Sequence, residues 1–105
     1  VGWLIATLLS LGILNIMEYR DKKTDKMSTS ATSSQSPAIA EGIMVVRIVT
    51  TVDSHYAIGV NPTATDSDAF IPAKSEFFVG ISSGEKVAVR TVTGGGTAFI
   101  TSLTR

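Results

Sequence analysis

The chain has one histidine, His55, and it directly follows Asp53 and Ser54. An acid, a hydroxyl and an imidazole are the parts of a nucleophilic triad. Neighbours on a strand point to opposite faces, so this tripeptide alone does not bring nucleophile, base and orienter to one point. His55 is therefore read as a turn or surface residue. Asp66 and Asp68, with Asn61 and Glu41, offer oxygen ligands of the kind calcium takes, but the loop lacks the spaced acids and closing glutamate of an EF-hand. A single histidine without cysteine is a poor set for a transition metal. Gly94-Gly95-Gly96 lacks the following Lys-Ser/Thr of a phosphate loop and reads as a β-hairpin turn. Asn61 precedes Pro62 and so fails the glycosylation sequon. No catalytic residue, metal or cofactor is assigned, and the chain is expected not to be an enzyme.

Composition narrows the partners. Among 105 residues, nine basic and nine acidic side chains cancel, which gives no clustered basic face for nucleic acid. Neither nucleic acid nor a small-molecule substrate is expected. Cysteine is absent, so disulfides and thiolate sites are excluded while the compartment stays open.

The elements that would position any site begin with residues 1–19. From Val1 to Met17 no side chain is formally charged; Thr7, Ser10 and Asn15 are the polar ones, and Glu18 ends the run. As a helix this stretch is about 26 Å long, slightly under the ~30 Å hydrocarbon thickness of a bilayer. Trp3 and Tyr19 would lie about 24 Å apart, one ring near each interface. The sequence thus predicts a transmembrane helix built on Trp3, Leu4, Ile5, Leu8, Leu9, Leu11, Ile13, Leu14, Ile16 and Tyr19. A secretory signal fits poorly, because no base precedes the run and the nearest A-x-A, Ala38-Ile39-Ala40, lies well beyond it. A pilin-like stem also fits poorly, since position 5 is Ile5 rather than glutamate. A helix packed in a filament core stays open. Arg20, Lys22, Lys23 and Lys26 form an interfacial basic flank that directs the C-terminal side to the cytoplasm. Asp21 and Asp25 alternate with them, as in a solvated extension of the helix.

Residues 20–42 complete the charged flank and continue as a Ser/Thr-rich linker with Pro37 and Gly42. Few groups there repay the entropy of ordering, so a flexible tether is expected. Residues 43–105 change texture to short apolar runs broken by turn residues. They predict a mainly β fold, a small antiparallel β-sandwich or jelly-roll-like domain of about five to six strands. The runs are Ile43–Val52, His55–Val60, Ala69–Ile71, Glu76–Ile81, Glu85–Val92 and Thr97–Leu103. Spare strand edges are expected to be closed by neighbouring subunits. The loop between the second and third runs, with Asn61, Pro62, Thr63, Thr65, Asp66 and Asp68, is the candidate contact loop.

The segment from Ala57 to Thr65 reads AIGVNPTAT; Phe70-Ile71-Pro72-Ala73, Glu76-Phe77-Phe78, Gly84-Glu85-Lys86-Val87-Ala88-Val89 and Gly94-Gly95-Gly96 follow it. This succession resembles a compact β module of small bacteriophage virion proteins of the decoration, spike or cement type, and it covers about half of the chain. The resemblance implies a structural role in a virion, with capsid proteins or sister copies as partners. The apolar N-terminal stretch departs from that module and points to a virion with an internal membrane. The expected site is then the internal membrane or the capsid layer, reached by way of the host inner membrane. A bitopic host-membrane protein that binds through the 61–68 loop, or a filament subunit, are the alternatives.

Overall fold

The computed structural model describes residues 20–104, and the anchor reading of Trp3 to Tyr19 lies outside the described residues. Eight strands follow in order: β1 (Arg20–Thr29), β2 (Ser34–Gln35), β3 (Val45–Thr50), β4 (Ser54–Gly59), β5 (Ala69–Ile71), β6 (Phe77–Gly80), β7 (Lys86–Thr91) and β8 (Gly96–Thr104). They form two four-stranded antiparallel sheets, ordered β1-β8-β3-β6 and β2-β7-β4-β5. Among the described residues no helix is long and apolar enough to cross a membrane.

The pairing has a simple logic. β1 pairs with β8, β2 with β7, β3 with β6 and β4 with β5, so the chain is one long hairpin closed at the β4–β5 loop. Rolling that hairpin brings β3 beside β8 and β4 beside β7, which makes two sheets from one ribbon. Every connection except β4–β5 therefore crosses from one sheet to the other.

Alternation along the strands places the core. β3 turns Val46, Ile48 and Thr50 inward, all fully buried, while Val45, Arg47 and Val49 on the other face are half-buried. Ile48 lies opposite Ile100 of β8, and Val87 and Val89 of β7 and Ile71 of β5 are fully buried within the same cluster. Phe77 and Val79 of β6 pack against this core, and Phe78 between them is exposed. Alternation in the sequence sets Phe77, Val79 and Ile81 on one face and Phe78 and Gly80 on the other, and these are the faces observed. Tyr56 and Ile58 of β4 also pack on the core, whereas Val60, which alternation in the sequence sets on their face, lies past the strand end and is exposed.

Two expectations are corrected. The first is the tether. Arg20–Thr29 is a ten-residue edge strand paired with β8, with Met27 packed on the core and Thr29 buried. The Thr24 hydroxyl and that of Thr101 share a 2.9 Å hydrogen bond across the pair. Later in the stretch, Ile39 joins the core, and its N–H and C=O bond to Glu85 and Gly84. Backbone pairing with β8 and β7 supplies the free energy that the polar side chains of residues 20–42 lack. The bases Arg20, Lys22, Lys23 and Lys26 thus lie on a sheet edge rather than on a helix extension, and all four are exposed. Charged lysines on an edge also discourage unwanted strand addition. A bulge between Asp21 and Lys23 leaves Lys22 outside the ladder.

The second correction concerns Gly94-Gly95-Gly96. The turn joins β7 to β8 across the two sheets, so it is not a hairpin between paired strands. Gly94 has φ +71°, and Thr91 Oγ1 donates to its carbonyl. At Gly96 a Cβ would come within 2.6 Å of a Val52 methyl, so close approach of the crossing chain requires glycine there.

Candidate functional site

The Asp53-Ser54-His55 tripeptide is taken apart by the fold. Ser54 points into the core, fully buried, and its hydroxyl donates to the Val52 carbonyl at 2.9 Å. Asp53 accepts the Ala73 N–H at 2.8 Å through Oδ1. His55 points the other way, with Nδ1 3.0 Å from the Asp68 carbonyl and its ring 5.5 Å from that of Phe70 in an edge-on arrangement. The three groups serve three separate turns and contacts. Among the described residues no group of three or more His, Cys, Asp or Glu lies close enough to hold a metal ion.

The loop singled out from sequence, residues 61–68, is the tip of the long hairpin, and hydrogen bonds give it a fixed shape. Thr65 N–H and Oγ1 both donate to Asp68 Oδ2, at 2.7 and 3.1 Å, and Asp68 N–H returns to the Thr65 carbonyl at 3.1 Å. This self-contained turn uses the aspartate's ability to bond its own local backbone. From the side, Gln35 Nε2 donates to Asn61 Oδ1 and to the Pro62 carbonyl, each at 2.8 Å, and Ala64 N–H donates to Ser33 Oγ at 2.9 Å. Ala64 is buried as a result. Asp66 stays exposed, and Thr63 with it.

Between this loop and the 31–35 segment runs an open groove of about 540 Å³, lined by Thr32, Ser33, Gln35, Thr63, Thr65 and Arg90 among others. Arg90 belongs to β7, opposite His55 of β4, which in turn lies opposite Phe70 of β5. The three residues form one row across the outer face of the second sheet. Alternation in the sequence sets Ala88, Arg90 and Val92 on the side opposite Val87 and Val89, and burial of those two valines makes the Arg90 side the outward one. Alternation gives no hint of Ser33 and Gln35, because a two-residue strand carries no period to read.

The outer face of the first sheet has a different character. Arg47 at its centre forms ion pairs with Asp21 at 3.6 Å and Glu76 at 3.4 Å. Around it lie half-buried Val45, Val49 and Phe99 and the exposed Phe78. Of the four phenylalanines, Phe77 packs against the core, Phe99 is half-buried on this outer face, and Phe70 and Phe78 are exposed.

No protein-family model, curated protein or solved structure matches this chain.

Proposed function

We propose that this chain is a structural, non-catalytic subunit of a bacteriophage virion. In this reading residues 1–19 anchor it in an internal membrane, and the β-sandwich contacts the capsid shell or sister copies. The observation that carries the reading is the strand order. One long hairpin rolled into sheets ordered β1-β8-β3-β6 and β2-β7-β4-β5 has the connectivity of a jelly roll, an architecture used by viral capsid domains. At the edges opposite β1 and β2 stand two short strands, β6 of four residues and β5 of three, which present free backbone groups for a neighbour. Phe70 and Phe78 stand exposed beside those edges, one on each sheet.

The pairing of residues 20–42 into the sandwich sets the geometry of this role. A tether would carry the domain tens of ångströms from the bilayer. With Arg20–Thr29 taken up by β1, these residues do not serve as a spacer. The domain would then sit flush on the membrane surface, with Arg20, Lys22 and Lys23 at the end of β1 nearest the anionic headgroups.

The anchoring half is tested by flotation with vesicles of phosphatidylethanolamine and phosphatidylglycerol. The full chain is expected to float with the lipid in high salt, and a chain beginning at Arg20 to stay at the bottom. Equal behaviour of the two in high salt would remove the anchor from the proposal.

A further inference from the structure

We propose that the groove beside the 61–68 loop binds a carboxylate-bearing saccharide, a uronate being its simplest form. Arg90 is the one formally charged residue among those lining the groove. It makes no ion pair among the described residues, in contrast to Arg47, which is held by two acids. Its Nε, like that of Arg47, is shut off from solvent and has no hydrogen-bond acceptor. The side chain as a whole is only half-buried, and the part of its guanidinium that lines the groove is what an incoming oxyanion would meet. Asp68 of the loop does not supply an acceptor, because it turns its carboxylate onto Thr65.

The ligand's chemistry follows from what surrounds that cation. One guanidinium matches the charge and the planar fork of one carboxylate. A phosphate dianion would leave one charge unpaired, since no second base lines the groove. The remaining polar lining is hydroxyl and amide: Thr32, Ser33, Thr63, Thr65 and Gln35. Hydroxyls both donate and accept, which suits the hydroxyls of a sugar ring. The volume of about 540 Å³ falls within the ~300–1,000 Å³ common for small-molecule sites. The Ser33–Ala64 and Gln35–Asn61 hydrogen bonds fix both walls beforehand, so little ordering is left to occur on binding. This site is independent of the virion role: assembly contacts could fail with the groove intact, and the reverse.

The test is a titration of the full chain in non-ionic detergent, followed by the ¹⁵N–¹H signals of the Arg90 side chain and the Thr63 amide. Glucuronate is expected to shift both saturably. Glucose, acetate and inorganic phosphate are each expected to bind at least about tenfold more weakly. Arg90→Gln is expected to weaken glucuronate binding by at least about tenfold, while Lys86→Gln, which removes a charge outside the groove, leaves it unchanged. The ligand comparison needs only the unmodified chain, so it stands even where a variant folds poorly. Absence of a saturable shift, acetate or phosphate matching glucuronate, or undiminished binding by a folded Arg90→Gln variant would overturn the proposal.

Discussion

A chain that begins at Ser30 is expected not to fold, whereas one that begins at Arg20 should melt in a single cooperative transition. The difference is β1, which pairs with β8 from Arg20 opposite Thr104 to Thr29 opposite Gly96. Removing it strips one side of β8, the strand that carries Ala98 and Ile100 of the core. It also deletes the packing of Met27 and leaves the Thr101 hydroxyl without Thr24. Each lost backbone bond costs about 0.5–1.5 kcal/mol net, and there is a full edge of them. Their sum rivals the ~5–15 kcal/mol stability of an ordinary domain. Circular dichroism and thermal melts of the two truncations decide the matter. Were the Ser30 chain to melt like the Arg20 chain, residues 20–29 would be a tether after all.

Ile100→Ala should cost the next most, about 2–5 kcal/mol, as for other large-to-small changes in closed cores. Ile100 is fully buried, lies opposite Ile48 on β3, and sits in the cluster shared with β5 and β7. The cavity would open at the centre of the layer that joins the two sheets. Phe78→Ala removes more atoms but is expected to cost under about 1 kcal/mol, because that ring is 40% exposed on the outer face. Urea denaturation of both variants should show the Ile100→Ala midpoint lowered with little change in slope. A larger loss for Phe78→Ala would mean the inside and outside of the first sheet are assigned the wrong way round.

Where the sequence alternates, its strands are readable. Each of the six runs from Ile43 onward coincides with one strand of the structure, with ends that agree to within about two residues. Phe77 and Val79 of β6 write a period of two because one face of that strand packs on the core, whereas Ile43–Val52 is apolar on both faces and is legible as a strand from its run of β-branched residues. β1 carries neither sign. Of its ten residues only Met27 is a large apolar one, and what holds the strand is the backbone ladder to β8, which leaves no trace in side-chain type. β2 is shorter still, two residues held between β7 and the hairpin tip. The same distinction governs the surface. Pro62, Thr63, Thr65 and Asp68 are legible as a loop because turn residues announce themselves. Their partners Ser33 and Gln35 are not, since a contact made across some thirty residues of chain depends on how the ribbon is rolled. The Gly94–Gly96 turn is legible as a turn, yet whether it reverses within a sheet or crosses to the other one is a property of the whole topology.

The virion role is tested most directly by electron cryomicroscopy of the purified particle. The predicted result is an eight-stranded sandwich in the layer between the internal bilayer and the capsid shell, with β1 starting at the lipid surface and no visible gap of tether. A purified particle that lacks this chain, or one in which the sandwich has no bilayer beside its Arg20 end, would contradict it.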